Sequence, residues 1–300
     1  DVAEKGKTYF KFRHKADEYV GYVNSGNGNG ESIAGVISVM LENIGGKEFS
    51  VTKKESLKNV LLGECNALQA QKYVRKFGIP DVPCCVYVVY SQGGSIDDVI
   101  DFLENFKSNT RDLVVATDEI SCAYVRFQDG SSQENDFQSL TDYAYLMAQS
   151  VEEELGIKVK IGVGGTSGSF SDSAVSYKQA TIAVRMSGMF EIKTLVATYK
   201  DYVFIKMLED LPKYKLEEFL NVLFEPETKS VFADPEMLET ASEFLKANLN
   251  VSEASRNLYM HRNTLMYRLD KIEKSTGLDI RKFQDAMTFR LMTILYKLLG

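Results

Sequence analysis

The first part of the chain alternates apolar and polar residues and then changes to a helical spacing. Residues 8–13 and 17–23 have the two-residue period of strands that are buried on one face. The stretch 24–30 is rich in Gly and Asn, which tolerate the positive φ angles of turns. Residues 31–44 have the spacing of an amphipathic helix, which a Gly pair ends. Residues 1–50 are therefore predicted to form a small N-terminal α+β unit.

The segment 51–80 is predicted to be one connector helix. Thr52 and Glu55 have the spacing of a capping box, and Pro80 limits the helix at its far end. One face carries apolar residues at helical spacing: Leu57, Val60, Leu61, Leu62, Cys65 and Leu68. A helix at this place either forms a dimer contact or packs against its own domain, and the sequence leaves both open.

Strands and helices alternate through the segment 81–200. Four predicted strands and the two helices among them follow one another as 84–90, 95–107, 112–117, 122–128, 136–155 and 158–165. This β-α-β-β-α-β order is typical of the ferredoxin-like split arrangement. A further helix over 171–186 and an extended segment over 190–199 complete the predicted α/β domain.

The rest of the chain has only helical spacing. We expect a helical connector at 201–233 and an all-α domain at 234–300. Asp234 is suited to cap the first helix of that domain, with Pro235 at its first position. The predicted fold class is therefore α+β multidomain, with a small N-terminal unit, a ferredoxin-like α/β domain and an all-α domain.

Two helices of the all-α domain have the spacing of a helix-turn-helix. Ser252 is predicted to cap a short helix over 253–260, and a second helix over 262–276 ends at Gly277. In a helix-turn-helix the second helix enters the major groove of DNA. The side chains of the second helix therefore decide between a DNA-reading surface and an ordinary solvated face.

The residues of this helix pair divide into two sets. The apolar set is expected to form the core: Leu258, Leu265, Leu269 and Ile272. The polar set is expected to face outward and to bind DNA: Arg262, Asn263, Thr264, Tyr267, Arg268 and Lys271. Arg and Lys bind phosphates or guanine, Asn pairs with adenine, and hydroxyl groups reach phosphate oxygens. A solvated helix face of the same composition stays possible on this chemistry alone.

His261 lies in the turn before the second helix and is counted with the predicted DNA-binding residues. A role in the turn or as the helix N-cap and a contact with a phosphate both fit its position. Catalysis fits poorly, because no carboxylate or nucleophile lies near it in the sequence.

Charge is unevenly distributed along the chain. The net charge of −7 argues at first against nucleic acid. Residues 1–233 hold 25 basic and 33 acidic residues, a balance of −8, whereas 234–300 holds 10 and 9, a balance of +1. Within 254–282 seven basic residues stand against three acidic ones. Positive charge is thus concentrated where DNA contact is predicted.

The amino-acid composition excludes several classes of protein. The 300 residues contain no apolar run long enough to span a membrane. The four Cys form no C-x-x-C pair and the two His are far apart, so neither a zinc site nor a disulfide framework is expected. With no signal-peptide pattern, we expect a cytoplasmic protein without cofactor or metal. The first residue, Asp1, leaves open whether residues precede it.

Two stretches of the α/β domain have partial likeness to nucleotide sites. The glycines of 161–169 lack the Lys of a Walker loop and the last Gly of G-x-G-x-x-G, so we expect a strand-to-helix turn. Asp118 and Glu119 lie at the tip of a predicted hairpin, where paired carboxylates can hold Mg²⁺. A solvated, charged turn is the commoner arrangement.

The stretch H-R-N-T-L-x-Y-R-L at 261–269 resembles the C-terminal helix-turn-helix of PucR/CdaR-type bacterial regulators. The middle domain resembles the GGDEF-like domain of the same regulators, and 58–79 resembles its entry helix. The hairpin departs from the active pattern, because no Gly pair precedes Asp118 and Ile120 replaces Phe. The unit at 1–50 is similar to the tail of a sensor domain.

This resemblance implies a bacterial transcriptional regulator that binds double-stranded operator DNA as a homodimer. It also implies a small-molecule effector and control of catabolic or transport genes, without a catalytic residue. Two alternatives remain: a nucleotide-processing enzyme of the diguanylate-cyclase kind, and a ligand-sensing or protein-interaction module.

Overall fold

The computed structural model describes residues 2–4, 6–14, 17–25, 28–46, 52–128, 137–190, 194–224 and 228–300. Two β-sheets with their helices precede a helical C-terminal region in these ranges. The predicted α+β multidomain class is confirmed. No helix in the described ranges is both long and apolar enough to cross a membrane.

A three-stranded antiparallel sheet with one helix packed on it comes first in the described chain. Its elements are β1 (Val2–Glu4), β2 (Lys7–His14), β3 (Asp17–Val23) and α1 (Gly28–Gly46). Thr8 of β2 lies close to Gly30 of α1, where a Cβ would be 2.7 Å from the Thr8 hydroxyl oxygen. The two predicted strands and the helix are confirmed. The strand β1 is additional, and α1 begins inside the stretch predicted as a loop.

The segment predicted as one connector helix contains two helices, α2 (Lys53–Leu62) and α3 (Ala67–Phe77). Gly63 adopts φ +71° and ends α2. Asn66 then caps α3, and its side-chain oxygen accepts a hydrogen bond from the N–H of Gln69 at 2.9 Å. The single-helix prediction is wrong because a left-handed glycine and a new N-cap interrupt the apolar pattern. The predicted cap at Thr52 is confirmed, since its hydroxyl oxygen accepts from the N–H of Glu55 at 3.2 Å.

A five-stranded sheet forms the middle of the molecule. Its region contains β4 (Cys84–Ser91), α4 (Ile96–Phe106), β5 (Leu113–Ala116), β6 (Ser121–Phe127), α5 (Phe137–Leu155), β7 (Val159–Ser167), α6 (Ser173–Met189) and β8 (Val196–Thr198). The strand order is β5-β6-β4-β7-β8, antiparallel except for the parallel pair β7 and β8. The first four strands confirm the predicted ferredoxin-like arrangement, and β8 extends it.

The central strand β4 is covered on both faces. Tyr87 and its alternate neighbours lie in a core with α4 and α5, which contribute Leu103 and Met147. Val86 lies in a second core on the other face, together with Leu61 and Val74 of α2 and α3. The two helices of the 51–80 segment therefore pack against the α/β domain, which is the second of the two alternatives.

Helices make up the rest of the described chain. They are α7 (Tyr199–Glu209), α8 (Lys213–Leu223), α9 (Thr228–Phe232), α10 (Pro235–Lys246), α11 (Val251–Asn257), α12 (Arg262–Thr276) and α13 (Phe283–Leu299). The predicted start of α10 is confirmed, because Asp234 caps it and Pro235 is its first residue. Ile294 of α13 is buried with Met186 of α6 and Tyr202 of α7. These contacts join the C-terminal helices to the α/β domain.

Candidate nucleic-acid interface

The helix α11 begins at an asparagine cap. The side-chain oxygen of Asn250 accepts from the N–H groups of Ser252 and Glu253 at 3.0 and 3.2 Å. The prediction that Ser252 is the cap is wrong, because Ser252 lies in the first turn of the helix. Asn and Ser are both good caps, so only the backbone geometry separates the two positions.

The helix α12 follows after a short turn and is capped by His261. The Nδ1 atom of His261 accepts from the N–H of Asn263 at 3.2 Å, and its carbonyl oxygen accepts from the N–H of Thr264 at 2.9 Å. The predicted role of His261 in the turn and cap is confirmed. Its ring stays exposed, and the phosphate contact stays a prediction. Gly277 ends α12 with φ +70°, as the sequence predicts.

The apolar side of α12 holds the helix in its domain. Leu265, Leu269 and Ile272 are at most 1% exposed. They share one core with Phe244 of α10 and Phe289 of α13. The predicted apolar set is confirmed, with Leu258 half-buried at its edge. This packing fixes which side of α12 faces solvent.

The opposite side of α12 carries most of the predicted DNA-binding residues. Asn263, Thr264, Tyr267 and Lys271 are exposed there, and Tyr267 is 70% exposed. Lys271 lies 3.7 Å from a carboxylate oxygen of Asp234, an exposed ion pair of little strength.

Arg268 is placed differently from the other predicted residues. Its Nη1 group donates to the hydroxyl oxygen of Thr240 at 2.9 Å, and its Nη2 group donates to a carboxylate oxygen of Glu236 at 2.7 Å. The Arg268 side chain is 23% exposed. It lies across α10, because the rotation of about 100° from Tyr267 to Arg268 turns it away from the outer face. Arg268 is thus held within the domain, and its contact with DNA stays a prediction.

Some of the basic residues counted within 254–282 are neutralised by ion pairs inside the domain. Arg281 contacts the carboxylates of Asp270, Glu273 and Asp279. The pKa of the Asp279 carboxyl is lowered, mainly by the hydrogen bond from the Arg281 side chain. Arg281 therefore links the end of α12 to the following loop and contributes little free charge to the surface.

Three other basic residues enter no ion pair among the described residues: Arg256, Arg262 and Lys274. Arg262 donates to the hydroxyl oxygen of Ser252 at 3.4 Å. Lys274 is exposed on the outer face, seven residues after Tyr267. Neither Arg256 nor Lys274 was among the residues predicted from the sequence to bind DNA. The seven-residue spacing would have placed Lys274 on this face.

The hairpin between β5 and β6 was the alternative metal or nucleotide site. One carboxylate oxygen of Asp118 accepts from the N–H of Ile120 at 2.9 Å, and the other accepts from the hydroxyl of Ser121 at 2.7 Å. The carboxylate therefore stabilises its own turn. In the ranges that the structure describes, no group of three or more His, Cys, Asp or Glu residues is arranged to hold a metal.

The glycines of β7 serve packing between a strand and a helix. A Cβ at Gly162 would be 2.1 Å from the carbonyl oxygen of Ala180, and a Cβ at Gly164 would be 2.1 Å from that of Ser176. Both contacts are with α6, which lies directly on the strand. These glycines permit the close approach of α6, and β7 extends through part of the predicted turn.

Comparison with known proteins identifies the C-terminal domain. Residues 237–295 match the family of the PucR C-terminal helix-turn-helix domain. The Purine catabolism regulatory protein of Bacillus subtilis (strain 168) is 25% identical over 142 residues, which cover 47% of this chain and 27% of the relative. The DNA-binding transcriptional activator AdeR of the same organism is 23% identical over 221 residues, which cover 69% of this chain and 50% of the relative.

A solved structure, the Regulator of Polyketide Synthase Expression from Bifidobacterium adolescentis, is 13% identical with a TM-score of 0.40 and covers 81% of this chain and 91% of that chain. The matches with the two Bacillus proteins span half of those relatives' length or less. The resemblance that the motif at 261–269 suggested is confirmed where the family matches. Residues 237–295 of the chain therefore form a PucR C-terminal helix-turn-helix domain.

Proposed function

We propose that the chain is a sequence-specific DNA-binding transcriptional regulator. The observation that carries this function is the outer face of α12, where Asn263, Tyr267, Lys271 and Lys274 are exposed on a helix that its opposite face fixes in a packed domain. In a helix-turn-helix this face enters the major groove. The family match at 237–295 supports the same conclusion.

Each exposed side chain has a role that its chemistry supports. Asn263 can pair with an adenine edge through two hydrogen bonds, which reads sequence. Thr264 and Tyr267 carry hydroxyl groups that donate to phosphate oxygens, and Lys271 and Lys274 neutralise phosphates. Arg262, with the neighbouring Arg256, adds positive charge where α11 meets α12. The exposed ring of His261 is suited to a phosphate at the start of α12.

A homodimer and an effector complete the proposal. A two-fold dimer presents two copies of α12 to half-sites about 10 to 10.5 base pairs apart. A monomer in light scattering, both free and on DNA, would rule out this dimer.

The proposed genes are catabolic or transport genes, and the proposed place of action is the cytoplasm. Both follow from the regulators that the chain resembles. Transcription of the neighbouring genes, compared between wild-type cells and cells that lack this chain, tests the first. Unchanged transcript levels under every supplied carbon and nitrogen source would count against it.

The DNA-binding proposal is tested by fluorescence anisotropy with a labelled duplex from directly upstream of the chain's own gene. Wild type should bind this duplex more tightly than an unrelated duplex of equal length. Asn263→Ala should reduce that preference by about 10-fold, because a bidentate base contact contributes roughly 1 to 3 kcal/mol of discrimination. The matched control is Asn221→Ala, at an exposed asparagine of α8, which should leave the preference unchanged. Equal binding of both duplexes by wild type would contradict the proposal.

A further inference from the structure

The end of α11 has an unusual backbone conformation at Tyr259, where φ is +53°. The N–H of Tyr259 donates to the carbonyl oxygen of Arg256 at 3.0 Å, and the N–H of Met260 donates to that of Ser255 at 3.0 Å. These two bonds form a Schellman cap, whose left-handed position glycine usually occupies. A side chain at that position brings Cβ close to the backbone and is strained.

The chain places less strained residues at the same position of other helices. Gly63 and Gly78 end α2 and α3 with the same pair of hydrogen bonds. Asn248, which tolerates this region, ends α10 with φ +52°. Leu249 has φ +63°, but its side chain packs against the core of the helical domain. Tyr259 differs from all of them in being a large residue with a side chain outside that core.

Tyr259 is 98% exposed. Within the described part of the chain, none of the ring contacts or side-chain hydrogen bonds includes it. Burial therefore does not offset the backbone strain, and glycine would suit the fold better at this position. Strain of this kind persists at sites where function requires it.

Tyr259 also lies where the proposed DNA surface begins. It precedes the N-cap His261 by two residues, and the exposed Arg256 and Arg262 flank it. The stretch 254–263 contains two Arg and no Asp or Glu. An exposed aromatic hydroxyl in such a positive stretch is complementary to a phosphate backbone.

We propose that Tyr259 contacts the sugar–phosphate backbone at the edge of the groove that α12 enters. Its ring packs against a deoxyribose, and its hydroxyl donates to a phosphate oxygen. This inference rests on the proposed DNA-binding function and adds a residue to it. Because the contact is with the backbone, it raises affinity for every duplex alike and leaves the choice of sequence to α12.

The test measures DNA affinity and thermal unfolding of Tyr259→Gly and Tyr259→Phe in the full chain. The upstream duplex and an unrelated duplex of equal length are compared at one salt concentration. Tyr259→Gly should bind both duplexes about 10-fold more weakly, with their affinity ratio unchanged and a melting temperature at or above that of wild type. Tyr259→Phe should lose about threefold, because it keeps the ring and loses one hydrogen bond.

Several results would overturn the inference. The first is a DNA affinity of Tyr259→Gly equal to that of wild type, and the second is a loss of affinity for the upstream duplex alone. A lowered melting temperature of Tyr259→Gly would show a structural role instead. A changed molecular mass of this variant in light scattering would show that Tyr259 contacts a second copy of the chain. A wild-type chain that binds the upstream duplex specifically while Tyr259→Gly does the same overturns the Tyr259 contact alone. A wild-type chain that binds neither duplex contradicts both the proposed function and this inference.

Discussion

The substitution Arg268→Ala tests whether this arginine stabilises the domain or binds DNA. The side chain joins α12 to α10 through a charge-assisted hydrogen bond to the buried Thr240 and an ion pair with Glu236, which is 70% exposed. A hydrogen bond to a charged group contributes about 1.5 to 3 kcal/mol, and an exposed ion pair about 0.2 to 1 kcal/mol. The Thr240 hydroxyl keeps its bond to the carbonyl oxygen of Glu236 at 2.7 Å after truncation. We therefore expect Arg268→Ala to lower the free energy of unfolding by about 2 kcal/mol, near the lower end of the sum of these two contributions.

The assay combines urea unfolding, followed by circular dichroism, with the salt dependence of DNA affinity. Arg268→Ala should lower the free energy of unfolding and leave the salt slope unchanged. Arg268→Lys should recover little of that stability, because a lysine cannot form both bonds of the guanidinium fork. The matched control is Arg290→Ala at an exposed position of α13, which should change stability by less than about 0.5 kcal/mol.

The opposite pattern would refute this reasoning. If Arg268→Ala unfolds like wild type and lowers the salt slope by about 1, Arg268 neutralises a phosphate. The outward placement that the sequence predicts would then describe the DNA-bound state. The ion pair with Glu236 would belong only to the free protein.

Three further outcomes follow from packing, burial and charge. Leu265→Ala should destabilise the helical domain by about 2 to 5 kcal/mol in urea unfolding, because a fully buried side chain leaves a cavity; a loss below about 1 kcal/mol would contradict the core assignment. Burial raises the pKa of the Asp112 carboxyl above its ordinary value of 3.8. The free energy of unfolding of wild type relative to Asp112→Asn should therefore be greatest below pH 3.8 and decline as pH rises through the raised pKa. A difference between the two proteins that stays constant from about pH 3 to pH 7 would count against this effect of burial. Lys274→Ala should lower the salt slope of DNA affinity by about 0.9, while Lys213→Ala on α8 should not.

The sequence predicted the elements whose signals are local. Asp234 followed by Pro235 marked the start of α10, and Gly277 marked the end of α12. Both signals act within one turn of the chain, so they survive packing. The ferredoxin-like strand order was also predictable, because the element order restricts how strands of this kind can pair.

The sequence was less informative where two local signals compete. Gly63 and Asn66 interrupt the segment 52–77, yet the apolar spacing continues across them and predicted one helix. Asn250 and Ser252 are both good caps, and the backbone selects the first. Residue type and spacing do not decide such cases, because the capping free energies of Asn and Ser differ by only a fraction of about 1 kcal/mol.

The candidate site was only partly predictable for a geometric reason. Outward-facing residues follow from the 100° rotation per residue, which places Asn263, Tyr267 and Lys274 on one face. Arg268 is polar but lies toward α10, where a carboxylate and a hydroxyl meet it. Tyr259 carries no sequence signal, because the residue type does not disclose a left-handed backbone.

Dimethyl sulfate footprinting of the upstream duplex tests the central claim most directly. The reagent methylates guanine N7 in the major groove, where α12 is proposed to lie. We predict two patches of protected guanines about 10 to 10.5 base pairs apart. Asn263→Ala should need about 10-fold more protein than wild type to protect them, whereas Asn221→Ala should need the same amount as wild type. Protection of adenine N3 in the minor groove alone, or no protection at saturating protein, would contradict the account.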